Sequence, residues 1–193
     1  IQFRNGSWCQ QMVDIDEHGL KFVNVQPTNA ELIEFCASLG DAYPEGYTTE
    51  YNIGIGRFVS DVSKALKSGL FITIDYGHEA EAYYHEDRAE GTLQTYYQHQ
   101  KADNPLCSPG EIDITSHVDF TRLQTVAESA GFSFPELKSQ ASYLTTHGRE
   151  WLISLEKSPI EDATAMIRQF QTLTHPAMLG IKFSVLEMQM EIK

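Results

Sequence analysis

One stretch constrains this chain more than any other. Leu70-Phe71-Ile72-Thr73-Ile74 is a short, β-branched run, apolar at every position but one, and it ends abruptly in Asp75-Tyr76-Gly77. Such a run reads as a strand buried on both faces of an α/β sheet. The about 40 residues that follow are polar, rich in Tyr and His, and poor in helical periodicity. Unstructured connections of that length are uncommon in compact domains and are usually functional or disordered. The aromatic density of Tyr83-Tyr84-His85 and Tyr96-Tyr97-Gln98-His99 argues against disorder. A strand therefore delivers the chain to one end of a sheet, where open α/β folds bind their ligands, and an elaborate loop is built there.

The elements around this stretch follow from periodicity and caps. Trp8–Ile15 and Leu20–Val25 alternate on either side of Asp16-Glu17-His18-Gly19, a hairpin signal. Thr28 and Glu31 have capping-box spacing before the stripe Leu32, Ile33, Phe35, Cys36 and Leu39, with Gly40 as a stop. Residues 48–55 read as extended. Phe58, Val59, Val62, Ala65 and Leu66 form a helical stripe halted before Gly69, and Phe120–Ala130 forms another, with Asp119 as its cap and Gly131 as its stop. Ser139–Thr146 reads as a strand and Trp151–Leu155 as a short helix. Ser158-Pro159-Ile160-Glu161 is a second capping box that opens a helix ending at His175-Pro176, and Phe183–Met190 is a final strand.

Composition narrows the function classes. The chain has 193 residues, 41% of them hydrophobic, enough for one domain with a real core. Its net charge of −13 opposes a broad nucleic-acid face or an anionic membrane surface, and matches a basic peptide or protein better. Cys9, Cys36 and Cys107 are odd in number and widely spaced, which points to a reducing cytosol and to no zinc site. No run approaches the about 18 apolar residues of a membrane span. The first residue is Ile1 and not Met, as expected of a processed chain or of one cut from a longer protein.

One motif competes for attention. Gly54-Ile55-Gly56 precedes a helix, and Asp75 lies at the end of the next strand, an imitation of the dinucleotide fingerprint. Val59 occupies the third glycine position, and Glu50 and Asn52 interrupt the strand that should come first. A nucleotide-binding oxidoreductase is thus one alternative function. The other reading of these glycines places them at or inside a helix start.

The motif string of the central stretch is more specific. It runs Gly69–Gly77, Glu81-Ala82-Tyr83-Tyr84, Arg88, Gly91-Thr92-Leu93, Tyr96-Tyr97 and His99. It continues through Pro105-Leu106 and Pro109-Gly110-Glu111-Ile112-Asp113-Ile114-Thr115-Ser116-His117-Val118-Asp119-Phe120, with Gln140, Met178, Gly180, Phe183, Val185 and Leu186 later. This string resembles the MidA-like family of S-adenosylmethionine-dependent methyltransferases, which includes a mitochondrial complex I assembly factor that methylates a protein arginine. Ile112 and Ser184 depart from it, where the family commonly has Gln and Lys.

The resemblance implies the C-terminal part of a class I, Rossmann-like α/β sheet with helices on its faces and a long inserted loop after the central strand. Residues 69–75 would be the fifth strand, Ser139–Thr146 the sixth and Ile181–Met190 the seventh, with the seventh antiparallel between the other two. The glycine-rich turn that holds the cofactor in this family is missing from the sequence. The implied cofactor is S-adenosylmethionine, bound mainly by an N-terminal half outside this chain. Residues 1–193 would then form a single domain, weak or inactive alone. The implied partner is a protein substrate, with no nucleic acid and no membrane. A homodimer is a further expectation, because missing strands leave edges to cover. The setting is the bacterial cytoplasm or, for relatives, the mitochondrion.

Methyl transfer to a guanidine nitrogen needs alignment, a route for a proton, and dryness. Asp75, Glu111, Asp113 and His117 are the candidate catalytic residues, with Asp119 and His85 as further candidates. Carboxylates pair with guanidinium in a two-pronged geometry, and histidine takes a proton near neutrality. Tyr76, Tyr83, Arg88, Tyr96, Tyr97 and His99 are candidate substrate-binding residues, since tyrosine faces stack on cations. Each has a plainer role open to it. Asp75 is either a site carboxylate or a turn cap beside Gly77. Glu111 and Asp113 share a face if extended, for joint chemistry or for a loop-stabilising network. Asp119 suits a helix cap, His117 a structural histidine and Arg88 a partner for a loop carboxylate, while His99 and the tyrosines suit pins of the loop. A non-catalytic interaction module that retains the fold is the other alternative function.

Overall fold

A computed structural model describes residues 1–98, 100–102, 104–133, 136–157 and 159–191. In chain order the elements are β1 (Gln2–Arg4), β2 (Ser7–Asp16), β3 (Gly19–Val25), α1 (Ala30–Leu39), α2 (Ile55–Ala65), β4 (Gly69–Asp75), β5 (Gly77–His78) and α3 (Ala80–Tyr83). A 3-10 turn at Glu86–Arg88 precedes β6 (Gln94–Tyr97), β7 (Gln100–Ala102), β8 (Asp113–Thr115), β9 (Val118–Asp119), α4 (Phe120–Ser129) and β10 (Leu137–Ser139). Then follow α5 (Gln140–His147), α6 (Arg149–Ser154), a 3-10 turn at Leu155–Lys157, α7 (Ile160–Thr174) and β11 (Ser184–Met190). They form two compact units, residues 1–55 with 80–117 and residues 56–79 with 118–193.

In the first unit, β1, β2 and β3 form an antiparallel sheet in that order. The hairpin closes at Asp16↔Gly19, and Gly19 takes φ 109°, which suits a residue without Cβ. Asn29, and not Thr28, caps α1: its side chain accepts from the Leu32 N–H, which puts Glu31 at the second helical position, out of the capping-box register. Leu32 and Cys36 face a core with Phe3, Trp8 and Tyr47. Trp8 meets Phe3 and Tyr43 edge-on and donates its indole N–H to Gly40 O at 2.8 Å. Burying each such ring contributes about 1.5–3 kcal/mol.

Residues 48–55 do not form the expected extended run. Thr48 makes only isolated bridges to Gln2 and Glu90, and a turn leads from Asn52 into α2. The dinucleotide fingerprint thus lacks its leading strand, and Gly56 lies inside α2. The long loop proves to be built of short strands. β6 lies between β7 and β8 in an antiparallel sheet of three- and four-residue strands.

The second unit holds the sheet β10-β11-β4, with both neighbours antiparallel to β11. This is the strand order that the resemblance implies. The sixth strand is Leu137–Ser139, however, and not Ser139–Thr146. Ser139 caps α5 by accepting from the Ser142 N–H, so the residues read as strand are helix. Phe58 and Phe132 pack on Phe71, which shares a sheet face with Met188. On the opposite face, α5 covers β11 through Tyr143, whose hydroxyl donates to Glu187 at 2.7 Å. The hydroxyl's pKa is pushed up to about 12, first by that hydrogen bond.

β4 itself is not buried on both faces as its sequence suggests. Leu70, Ile72 and Ile74 are 53%, 41% and 48% exposed, and among the described residues only β11 pairs with this strand. At the far end, Pro159 takes the cap position of α7 without a side-chain bond, and Ser158, the expected cap, lies outside the described residues. No described helix is long and apolar enough to cross a membrane.

Candidate functional site

The sharp end of β4 is shaped by backbone proximity. Asp75 Oδ1 accepts from the N–H of the adjacent Tyr76 at 2.7 Å, and its carboxylate is exposed. The Tyr76 ring lies 4.1 Å from that of Phe183. Its carbonyl accepts from the Val118 N–H at 2.8 Å, at the mouth of a two-residue parallel pair, Gly77↔Val118 and His78↔Asp119. A Cβ on Gly77 would collide with Val118 O and with the Phe120 ring. Only glycine lets the outgoing and returning chains approach this closely. Asp119 then caps α4 by accepting from the Arg122 N–H at 3.0 Å.

The remaining described candidates belong to the first unit. Tyr83 is buried, 3% exposed, and its hydroxyl donates to His117 O at 3.1 Å. The His117 N–H donates to Thr92 Oγ1 at 3.0 Å. Tyr83 and His117 are therefore brought together, through main-chain atoms of the histidine. Tyr96 stands opposite Asp113 in the β6–β8 register, with its hydroxyl on Gln94 Oε1 at 2.7 Å. Glu111 does not share an extended face with Asp113, because it closes a turn from Ser108 and the strand begins only at Asp113. Both acids are exposed, as is Tyr97. Arg88 donates its Nε–H to Ala82 O at 2.6 Å. His85 accepts the Asp87 N–H on Nδ1 and takes the Tyr47 hydroxyl on its carbonyl, and burial is the first cause that pushes the Tyr47 phenol up to about 12. His99 lies outside the described residues.

The residue that sequence reasoning missed is Glu50. Its half-buried carboxylate accepts from the Thr92 N–H at 2.9 and 3.1 Å, the Thr92 hydroxyl at 2.8 Å and the Leu93 N–H at 3.1 Å, and lies 3.5 Å from the Tyr83 hydroxyl oxygen. A Cβ on Gly91 would strike this carboxylate, and Gly91 also takes φ 75°. Gly91-Thr92-Leu93 is thus a receptor for an acid: glycine gives room, and two amides and a hydroxyl give protons. In the sequence Glu50 reads only as a polar break in a strand. The partner lies 42 residues downstream, in the Gly91-Thr92 pair.

Among the described residues no group of three His, Cys, Asp or Glu side chains is arranged to hold a metal ion. Cys9, Cys36 and Cys107 are free.

Comparison with known proteins adds the family. Residues 1–137 match the family described as "Putative S-adenosyl-L-methionine-dependent methyltransferase". The chain is 28% identical over 202 residues to the Drosophila melanogaster protein arginine methyltransferase NDUFAF7 homolog, mitochondrial, covering 97% of this chain and 43% of that protein. It is 24% identical over 181 residues to protein arginine methyltransferase NDUFAF7, mitochondrial, of Rattus norvegicus, covering 86% of this chain and 39% of that one. A Burkholderia thailandensis crystal structure bound to S-adenosyl-homocysteine superposes over 100% of the chain and 50% of its own, with a TM-score of 0.86 and 31% identity. The chain spans about two fifths of the curated relatives and half of that structure. With a family match over most of its length and a sheet in the order that family's resemblance implies, the chain belongs to the S-adenosyl-L-methionine-dependent methyltransferases.

Proposed function

We propose that this chain is the C-terminal part of a methyltransferase that transfers a methyl group from S-adenosylmethionine to arginine in a protein substrate. The observation that carries the reading is β4. Among the described residues one side of it has no paired strand, and one face presents Leu70, Ile72 and Ile74 uncovered. Apolar side chains and open backbone groups in that pattern call for further strands and a helix, and about half of the structural relative lies outside the aligned region. The residues described here do not by themselves fit a cofactor site, since no strand leads into an acidic glycine-rich turn. The cofactor is therefore assigned to the N-terminal half, as is the wall that covers β4.

S-adenosylmethionine, held by the rest of the protein, would supply an electrophilic methyl group, and the accepting guanidinium nitrogen would have to give up a proton. This chain supplies the acceptor side. Asp75 presents an exposed carboxylate at the carboxyl end of β4, positioned by its bond to the Tyr76 N–H. A carboxylate there orients a guanidinium through charge-assisted hydrogen bonds and takes its proton. Tyr76, held against Phe183, offers a ring face to the cation. The first unit, taken by itself, offers Glu111, Asp113 and His117 as acid and base groups and Arg88, Tyr96 and Tyr97 for a basic substrate segment, while Tyr83 is buried and holds His117 O. The net charge of −13 favours such a segment.

The test is transfer of labelled methyl from S-adenosylmethionine by the full-length protein, followed by amino-acid analysis of the labelled product. Methylarginine is expected, with at least a hundredfold loss in Asp75→Asn, the scale typical of a lost acid–base group. Label on another residue, or full activity in Asp75→Asn, overturns the assignment.

A further inference from the structure

The short sheet β7-β6-β8 carries Tyr96, Tyr97 and Asp113, and Glu111 lies in the turn that leads into β8. It enters at Thr92-Leu93 and leaves at Ser116-His117. Its strands are three or four residues long, too short to hold a register alone. What closes it is a carboxylate from another part of the unit.

At the entry, Glu50 accepts both the Thr92 and Leu93 N–H groups. At the exit, His117 is held by Thr92, which itself bonds to Glu50, and by the Tyr83 hydroxyl. Its N–H donates to Thr92 Oγ1, and its carbonyl accepts from the Tyr83 hydroxyl. Thr92 Oγ1 donates in turn to Glu50 at 2.8 Å, and the Tyr83 hydroxyl lies 3.5 Å from the same oxygen. One carboxylate thus fastens both ends of a 25-residue excursion, 92 to 117. Gly91 is the room that the carboxylate needs. Hydrogen bonds to a carboxylate in a partly buried site are the stronger kind.

We propose that Glu50 is the positioning residue of this methyltransferase's substrate surface. It touches no substrate. It closes the neck of the β7-β6-β8 sheet, so that Glu111, Asp113 and Tyr97 meet a substrate in one fixed arrangement. The functional half of this inference rests on the methyltransferase reading; the clasp itself does not. Glutamine is nearly isosteric but turns an N–H₂ toward the Thr92 or Leu93 amide, leaving a donor facing a donor. Tyr83→Phe is the milder change, because it removes the hydroxyl that reaches His117 O and leaves the Thr92 and Leu93 N–H bonds to Glu50 in place.

The experiment is hydrogen exchange on the full-length protein together with steady-state kinetics. In Glu50→Gln the amides of Thr92, Leu93 and His117 should exchange roughly tenfold faster or more, while the β2–β3 amides keep their rates. In Tyr83→Phe only residues around His117 should speed up. Both variants should lose kcat/KM for the protein substrate, with S-adenosyl-homocysteine affinity unchanged. Unchanged exchange at Thr92 and His117 overturns the clasp. Faster exchange with unaltered kcat/KM overturns the positioning role. Failure of the methyltransferase reading would look different: no transfer by the wild-type protein, with the exchange pattern intact.

Discussion

Replacing Gly77 by alanine tests how tightly the return of the chain onto β4 is built. A Cβ there would overlap Val118 O and two carbons of the Phe120 ring. Phe120 is fully buried, so the ring cannot swing into solvent. The φ of Gly77 lies outside the left-handed region, so the cost is steric and not conformational. Overpacking of this kind costs about 1–3 kcal/mol. Relief by separating the strands would break the hydrogen bond from the Val118 N–H to Tyr76 O, worth about 1 kcal/mol. The combined loss is roughly 2–4 kcal/mol. For a protein of this size that lowers Tm by about 4–16 °C. Thermal melts followed by circular dichroism measure it, and an HSQC spectrum should place the largest shifts at Tyr76, Val118 and Phe120. A Tm change under about 1 °C would refute the close approach as the reason for glycine.

Three further outcomes follow from the same structure. Gly56→Ala, in α2 where a Cβ meets nothing, should leave stability unchanged or raise it by up to about 1 kcal/mol, and a nucleotide-binding turn at this site would forbid that gain. Asn29→Ala should cost about 1 kcal/mol in urea unfolding and Thr28→Ala almost nothing; equal costs would restore the capping box. The Tyr143 phenol should remain protonated at about pH 11, where an ordinary tyrosine is mostly ionised. A raised tyrosine pKa contributes stability in full below about pH 10 and loses it as pH rises through about 12. Ultraviolet titration should show this phenol move back toward its ordinary range in Glu187→Gln, and an unmoved titration would discount the hydrogen bond.

Local patterns in the sequence carried the elements whose causes are local. The hairpin follows from alternation around Gly19, α4 from Asp119 and its apolar stripe, and β4 from its β-branched run. The structure departs from those patterns where a cap or a distant residue decides. Thr145 and Thr146 favour a strand, but Ser139 caps a helix there. Gln140, whose side chain donates to Leu173 O, and Thr146, which bonds back to Ser142 O, belong to that helix. β4 carries the apolar content of a doubly covered strand, but the described residues leave Leu70, Ile72 and Ile74 exposed. The short strands β6, β7 and β8 fall below the length at which alternation is visible. At the candidate site, residue types were legible and partners were not. Asp75 was recognisable from the end of its strand, but nothing near Glu50 announces that its ligands are Thr92 and Leu93.

The central claim is that this chain is the acceptor half of a methyltransferase whose cofactor half precedes it. Calorimetric titration with S-adenosyl-homocysteine tests it directly, on residues 1–193 alone and on the protein extended through its N-terminal half. The account predicts binding by the extended protein and none, or very weak binding, by the chain alone. Tight binding by residues 1–193 would contradict it and place the cofactor site within this chain, and binding by neither would leave a methyltransferase fold without its chemistry.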